Sequence, residues 1–397
     1  MKFGIFFEIQ CPKPWTETSE AEKFHEAVEQ AVLADALGFD SMWCAEHHFL
    51  EEYSHNGAPE LFLAAVAART QRIRIGHGIK HLTTNHPIRV AEQASTLDIL
   101  SHGRLELGLG EGSGTTELHP FGVRFRDKRA IWEDAVRCFL PMMYKQAWAY
   151  DGPHFQVPSR NVLPKPQQKP HPPLWVACSQ RDTIEAAGRW GMGALGFAFQ
   201  TADAADVWVN AYYNEFVHHP QSLTDYQRNA GVASTYYFSC APTDDEAMRK
   251  ADGSTFFEFS LQLYVKEGPF EAGKSEFWEK YLVWRETEKG RAKQQWVRDN
   301  MIVGSPETLR QRIRRIETSH LDQMIFVIQT GKTSHADICS SLELFAKEVM
   351  PEFQARDADH QAWKRAVLAG EIDIGRKDTS AHKDDWYQTP GIASKVR

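Results

Sequence analysis

Several features are scarce or missing in this chain of 397 residues, and each absence narrows the possible classes. No apolar run approaches the roughly 20 residues that a membrane-spanning helix needs. Lys and Arg form no block and the formal net charge is −8, so we expect neither a nucleic-acid nor a membrane partner. Residues 1–7 enter a strand pattern without the order of a signal peptide, which predicts a cytoplasmic protein. These absences leave a globular protein with a small-molecule ligand as the expected class.

Cysteine is also sparse, and no Cys-x-x-Cys pair is present. This spacing argues against both a disulfide scaffold and a zinc ribbon. We therefore expect reduced thiols, most of them filling the core, at Cys11, Cys44, Cys138, Cys178, Cys240 and Cys339.

Eight short apolar runs alternate with helical patterns along the chain. A repeated order of strand and helix predicts parallel pairing. Eight repeats predict a closed (β/α)8 TIM barrel with insertions, although the alternation also fits an open doubly wound sheet. The runs cover residues 3–7, 41–45, 73–78, 105–109, 174–177, 193–197, 232–238 and 324–328.

Three segments depart from this alternation. Residues 149–173 are rich in proline and predict a hairpin followed by an extended connection. Residues 266–302 are long, charged and aromatic, so this insertion is a candidate lid over the site. The barrel domain is expected to span residues 1–353, and the polar residues 354–397 to form a surface tail.

Glu46, His47 and His48 directly follow the second apolar run. A buried strand gains nothing from ending in ionisable side chains, which makes them candidates for site chemistry. Because successive strand residues point to opposite faces, only one histidine is expected to face the site. Two alternatives stay open: a zinc site, although no histidine pair has helical spacing on a predicted helix, and imidazoles that are merely hydrogen-bonded at the barrel rim.

A glycine-rich loop, residues 108–114, follows the fourth run. Glycine lets the backbone approach a ligand closely, which favours a phosphate or flavin loop. The spacing fails the Rossmann fingerprint because Ser113 stands where glycine is required. A tight barrel turn explains the same residues without a ligand.

Residues 174–183 predict a strand, a turn and the start of a helix. Helix N-termini bind anions through free amides, and Ser179, Arg181 and Thr183 add donors. Helix capping by Ser179 or Asp182 is the alternative.

Residues 268–275 match the Walker A pattern literally, but we interpret the match as accidental. Pro269 lacks an amide hydrogen, and Glu271 would repel a phosphate. A phosphoryl-transfer function would depend on this motif alone, and Pro269 and Glu271 both argue against it.

The chain resembles the bacterial luciferase-like flavin monooxygenases in five segments, in the family's order and spacing. The resemblance extends from residue 1 to about residue 353. The segments are KFGIFF at 2–7, AEHHF at 45–49, NHPIRVAE at 85–92, LDILSHGR at 97–104 and VGSPE at 303–307.

The resemblance implies a (β/α)8 barrel that binds reduced FMN, supplied by a separate flavin reductase. With O2 the flavin would form a hydroperoxide that oxygenates an organic substrate. His47 takes the place of the catalytic histidine, suited to moving protons near its ordinary pKa of about 6.5. The resemblance also implies a cis peptide under the flavin at Gly78 and Ile79, a cofactor loop at Gly110, Glu111 and Gly112, and a phosphate turn at Ser179 and Thr183.

One departure from the family concerns the fourth-strand loop. Bacterial luciferase has a reactive cysteine and an arginine where this chain has Gly110 and Glu111, so light emission from an aldehyde is not implied. A carboxylate would repel phosphate unless it turns away or accepts a hydrogen bond from the ribityl chain. Arg181 and the following helix amides would then hold the anion.

The sequence thus predicts a two-component, FMN-dependent monooxygenase that acts on a mostly apolar small molecule. We expect no metal, and we expect a homo-oligomer, specifically a homodimer. The sequence names neither the substrate nor the choice between hydroxylation and Baeyer–Villiger-type insertion. A deazaflavin-dependent oxidoreductase of the same barrel family and a non-catalytic flavin-binding protein are the open alternatives.

Overall fold

The computed structural model describes residues 1–377 apart from 198 and 200, and omits the side chains of residues 265 and 266. The strands in these residues are β1 (Lys2–Phe7), β2 (Ser41–Cys44), β3 (Arg74–His77), β4 (Lys80–His81), β5 (Leu105–Gly110), β6 (Trp148–Asp151), β7 (Gln156–Arg160), β8 (Leu174–Cys178), β9 (Gly193–Gly196), β10 (Val232–Cys240), β11 (Ile302–Gly304) and β12 (Gln323–Val327). The α-helices are α1 (Ser19–Leu37), α2 (Pro59–Arg69), α3 (Pro87–Leu100), α4 (Thr115–Leu118), α5 (Lys128–Phe139), α6 (Arg181–Trp190), α7 (Ala202–His218), α8 (Asp244–Lys250), α9 (Phe256–Glu267), α10 (Phe277–Trp284), α11 (Glu288–Asn300), α12 (Pro306–Glu317), α13 (His335–Glu348), α14 (Met350–Gln354) and α15 (Asp357–Leu368).

Eight parallel strands close into a barrel in the order β1, β2, β3, β5, β8, β9, β10 and β12. The ring closes because β12 pairs with β1 in parallel, with Phe3 opposite Met324. Each of the eight predicted strands is present within about two residues of its predicted ends. The (β/α)8 barrel is therefore confirmed, and the open sheet is excluded.

Local sequence explains how the first unit turns and packs. Gly38 ends α1 in the left-handed region at φ 89°, where a side chain would be strained, and the chain then enters β2. Trp43 of β2 lies over β3, where Gly76 leaves room for its ring. A Cβ at Gly76 would stand 2.2 Å from Trp43 Cε3, so a larger residue cannot occupy this position without displacing the tryptophan.

The predicted hairpin is present, with β6 and β7 pairing antiparallel. Within the predicted tail, residues 357–368 form α15, and Trp363 packs edge-to-face on Tyr213 of α7. The remainder of that tail prediction, residues 378–397, lies outside the described residues. A search of the described helices finds none with the length and apolar character to cross a membrane.

The candidate lid, residues 266–302, contains α10 and α11. Two adjacent carboxylates, named here the acidic bridge (Glu51 and Glu52), tie it to the loop that follows β2. Glu52 is fully buried and accepts hydrogen bonds from the Phe277 and Trp278 amides at 2.8 and 3.1 Å, at a helix start that has no cap of its own. Glu51 accepts from the Gly273 amide at 2.6 Å.

Candidate active site

A cavity of about 220 Å³ opens at the carboxyl ends of the barrel strands. Active sites of TIM barrels lie at this end. Every predicted site residue except Arg181 lines the cavity, namely His47, Gly78, Ile79, Gly110, Glu111, Gly112, Ser179 and Thr183.

His47 is held between two carboxyl groups. Its Nδ1 lies 2.8 Å from Glu117 Oε1, and its Nε2 lies 3.5 Å from Glu8 Oε2. Burial alone would lower the pKa of His47, but Glu117 and Glu8 outweigh it and raise the pKa to about 9. The expectation of a pKa near 6.5 is therefore wrong: the imidazole carries its proton at neutral pH, because two acidic groups from other elements face it.

Glu117 and Glu8 respond to this proton in opposite ways. Burial raises the pKa of Glu117, but His47, His81 and the Ser113 hydroxyl together lower it to about 2. Burial dominates at Glu8 and raises its pKa to about 7, although His47 and the Tyr53 hydroxyl oppose the shift. Near pH 7 the cluster thus holds a carboxylate, an imidazolium and a carboxyl group that is close to its own titration.

His48 takes a separate position. Its Nε2 lies 3.2 Å from Glu46 Oε1, its ring packs 4.9 Å from the Phe121 ring, and it does not line the cavity. Strand alternation is not what separates the two histidines, because β2 has already ended at Cys44. Different carboxylate partners direct the two rings, and the supporting role of His48 stays a prediction.

Two groups of buried side chains have ligand atoms close enough to hold a metal ion: Glu46, His48 and His81, and His47, His81 and Glu117. Hydrogen bonds already join His48 to Glu46 and His47 to Glu117. These pairs give the clustering a reason that needs no ion.

Glycines form the wall next to His47. The Gly78–Ile79 peptide bond is cis, as the resemblance implied. A Cβ at Gly110 would stand 2.2 Å from Ile79 Cδ1, and Gly112 adopts φ 81°, so neither position accommodates a side chain without displacement. Bare backbone therefore faces the cavity, which suits the close approach of a planar cofactor.

Basic side chains lie farther along the same cavity. Arg129 pairs with Glu111 at 2.8 Å, and its guanidinium contacts the Trp132 and Trp190 rings. Lys128 donates to the Gly112 carbonyl at 3.0 Å, and burial lowers the pKa of its ammonium group. Glu111 thus has a cationic partner, which removes the repulsion that the sequence raised against phosphate at this loop.

The turn after β8 reaches the cavity through Ser179 and Thr183. Thr183 forms a capping box with Gln180 at the start of α6, donating to its carbonyl at 2.7 Å and accepting from its amide at 3.2 Å. Arg181 pairs with Glu185 at 2.9 Å and is not among the lining residues. Ser179, Thr183, Lys128 and Arg129 all line the cavity and offer donors that fit a phosphate, which supports the fit of FMN.

Sequence reasoning missed Glu8, Tyr53, Glu117 and the basic pair at Lys128 and Arg129. A signal existed for the basic pair, because the run from 124 to 129 contains four basic residues at the start of a predicted helix. Glu117 stands just beyond the glycine-rich loop, at a strand end where site residues concentrate. Nothing local marks Glu8, which directly follows the apolar run at 3–7, or Tyr53, which lies in a polar loop.

The described part of the candidate lid contributes none of the residues that line the cavity. The nearby helical wall consists of Phe257, Glu258 and Leu261 from α9. Trp284 packs on Phe259, with ring centres 5.0 Å apart. A covering role for residues 266–302 stays a prediction.

Comparison with known proteins matches residues 1–323 to one family, described as luciferase-like monooxygenase. Two uncharacterized proteins of Sinorhizobium fredii are 33% and 34% identical over 191 residues, which is 48% of this chain and 54% of each relative. The chain thus aligns with about half the length of these relatives. The oxygenase component of a flavin-dependent trigonelline monooxygenase from Acinetobacter baylyi is 22% identical over 371 residues, covering 91% of this chain and 98% of that protein.

Solved structures show the same barrel. Monooxygenase RslO1 from Streptomyces bottropensis has a TM-score of 0.72 at 24% identity, covering 89% of this chain and all of that one. The oxygenating constituent of 3,6-diketocamphane monooxygenase from Pseudomonas putida, in complex with FMN, has a TM-score of 0.68 at 21% identity over 88% and 98%. A coenzyme F420-dependent tetrahydromethanopterin reductase from Methanopyrus kandleri has 0.65 at 19% over 89% and 99%. The family match confirms the resemblance: the chain belongs to the luciferase-like monooxygenase family.

Proposed function

We propose that this chain is the oxygenase component of a two-component, FMN-dependent monooxygenase that oxygenates a mostly apolar small molecule. The observation that carries the proposal is that His47, 2.8 Å from the buried Glu117 carboxylate, shares one cavity with a glycine wall and a basic end. Reduced FMN, when bound, supplies the electrons that activate O2. The protein's own residues bind the cofactor, exclude water and transfer the proton.

Phosphate binding falls to Ser179, Thr183, Lys128 and Arg129, because these residues line the cavity and carry hydroxyl or cationic donors. Because Gly110 and Gly112 have no side chains, the cofactor can approach their backbone closely. Apolar side chains on the opposite wall exclude water from the reacting centre, which strengthens electrostatic interactions there.

His47 is the proposed acid. Glu117 fixes Nδ1, so the exchangeable proton stands at Nε2, on the side of Glu8. Proton transfer by a positioned group contributes about a hundredfold to ten-thousandfold in rate. The carboxylate holds the proton on the ring until a stronger base forms in the cavity.

A separate reductase, a homodimer and a cytoplasmic location belong to the same proposal. The relative from Acinetobacter baylyi is named an oxygenase component, which supports a reductase partner. All six cysteines lack a disulfide partner, and five of them are buried, which suits a reducing compartment. Sedimentation of the purified protein would measure the oligomeric state.

Anaerobic titration tests the cofactor. We expect reduced FMN to bind more tightly than reduced coenzyme F420, NADH or ATP. Tighter saturation by F420 would transfer the chain to the deazaflavin alternative, and tighter saturation by NADH or ATP would refute both flavin assignments. Oxygen uptake with product formation then separates an oxygenase from a flavin carrier.

A further inference from the structure

Glu8 Oε2 lies in the cavity and accepts no hydrogen bond, although the His47 Nε2 atom lies 3.5 Å away. The residue follows β1 directly and is 2% exposed. Its Oε1 accepts a hydrogen bond from the Tyr53 hydroxyl at 3.1 Å, whereas its Oε2 makes no hydrogen bond to any described residue. A buried acceptor without a donor destabilises the protein. A ligand that brings a donor to this atom removes that penalty and therefore binds more tightly.

Aromatic rings line the same cavity as this oxygen. Tyr53 packs 5.4 Å from Phe257, and Phe257 packs edge-to-face on Phe199 at 5.5 Å. All three rings line the cavity together with Glu8. Walls of this kind favour a planar ring, since aromatic pairs gain from offset and edge-to-face contact beyond the area they bury.

Two buried carboxylates lie on this side of the cavity. Glu258 of α9 is 4% exposed and lines the same cavity as Glu8, and Lys293 approaches its Oε2 at 2.6 Å. The His47 imidazole lies 3.5 Å from Glu8 Oε2, whereas the basic pair at Lys128 and Arg129 is engaged with Gly112 and Glu111. A substrate carboxylate placed beside Glu8 Oε2 would bring a second acceptor to an atom that lacks a hydrogen-bond donor.

We propose that the substrate is an aromatic compound whose ring carries an O–H or N–H donor, and that Glu8 Oε2 accepts its hydrogen bond. This inference rests on the proposed function, because it assigns the aromatic wall to the molecule that is oxygenated. Glu8 is then a specificity-determining residue: it orients the ring by its polar substituent and rejects carboxylic acids of the same shape.

Calorimetry on the protein loaded with oxidised FMN tests this with four probes of one shape. 4-Methylphenol brings a neutral donor, 4-methylbenzylamine a cationic donor, p-xylene no donor and 4-methylbenzoate an anion. We expect at least one donor to bind about tenfold or more tightly than p-xylene, and the benzoate to bind most weakly. The stronger of the two donors tells whether the substrate group is neutral or cationic.

Two variants locate the effect. Glu8→Leu should abolish the preference for donors over p-xylene, while Glu258→Gln, at a second buried carboxylate of the lining that pairs with Lys293, should retain it. Equal binding of p-xylene and both donors by the unaltered protein overturns the inference, and so does a tenfold preference that survives Glu8→Leu. The probe series on the unaltered protein decides the question even if Glu8→Leu does not fold.

FMN binding in the same samples separates the two proposals. Failure of the unaltered protein to bind FMN would refute the proposed function. FMN binding without any preference for a donor would refute only the substrate class.

Discussion

The two ends of the barrel both hold a cavity with charged walls, yet they pair those charges differently. At the amino end of the strands a cavity of about 520 Å³ contains the Asp322 carboxylate. It accepts from the Tyr213 hydroxyl at 2.6 Å, the Val232 amide at 2.8 Å, and His360 Nε2 and Lys364 Nζ at 2.9 Å each. Burial would raise the pKa of Asp322, but Lys364 and His360 lower it well below its usual range.

The carboxyl end leaves its charges incompletely paired. One oxygen of Glu8 accepts no hydrogen bond, the pKa of Glu8 rises to about 7, and the pKa of His47 rises to about 9. The amino-end cavity also contains Glu106, which accepts from Arg74 and, at 2.6 Å, from Trp175. Complete pairing fixes a charge and stabilises the fold, whereas incomplete pairing keeps a proton transferable near neutral pH. Barrel enzymes generally separate stability from chemistry in this way.

The largest expected effect comes from breaking the amino-end network. Asp322→Ala leaves Lys364 and His360 without their buried anion, and loss of one partner of a buried pair costs about 3–5 kcal/mol. Urea unfolding should show this loss, while turnover per folded molecule stays near that of the unaltered protein. A loss of turnover with full stability would reverse the roles assigned to the two ends.

The next effect concerns chemistry at the carboxyl end. His47→Ala should lower oxygenation per folded molecule by about a hundredfold or more, because the proton at Nε2 is lost, and should also lower stability, because the buried Glu117 loses its partner. Product formed per flavin oxidised is the measurement, and release of hydrogen peroxide should rise. His48→Ala is the matched control, expected to act mainly on stability. Uncoupling by His48→Ala instead would exchange the two assignments.

The pH dependence sharpens the comparison further. The folded-state pKa of His47 lies above its ordinary value, so the stability its proton contributes is fully present below about pH 6.5 and is lost as pH rises through about 9. Turnover that depends on the same proton should fall through the same upper limit. Glu117→Gln removes an opposite charge and should move the limit down by about 1–3 pH units. A rate profile that ignores this substitution would contradict the role of Glu117.

The smallest effect is expected at an exposed pair. Arg314 donates to Glu352 at 2.7 Å, and half of the Arg314 side chain is exposed. Arg314→Ala should leave the free energy of unfolding almost unchanged, because solvent screens the interaction. A loss of stability as large as that of Asp322→Ala would mean that burial does not explain the contribution of the amino-end network to stability.

Short-range pattern was enough to predict the barrel and the backbone parts of its site. Strand runs, the glycine loop and the turn after β8 depend on residues close in sequence, and all of them took their predicted places. Residues 357–368 were predicted as tail because polar residues dominate there. Trp363 and Val367, four residues apart, carried the helical signal that composition hid.

Partners from distant segments could not be predicted in the same way. His47 meets Glu117 seventy residues later and Glu8 thirty-nine residues earlier, and only ring closure brings these strand ends together. The raised pKa of His47 follows from those contacts, so no reading of the Glu-His-His segment alone could give it. Arg181 looked equally suited to phosphate, but a glutamate one helical turn later pairs with its side chain.

The acidic bridge has a consequence for engineering by segment exchange. Residues 266–302 invite replacement with the equivalent stretch of a relative, as a route to new substrates. Such a chimera would keep Glu52 of this chain. A replacement segment without two amides at the positions of Phe277 and Trp278 would leave this fully buried carboxylate without those two hydrogen bonds. The loop containing Glu51 and Glu52 and the segment at 266–302 therefore form one transplantable module, and the two should be exchanged together.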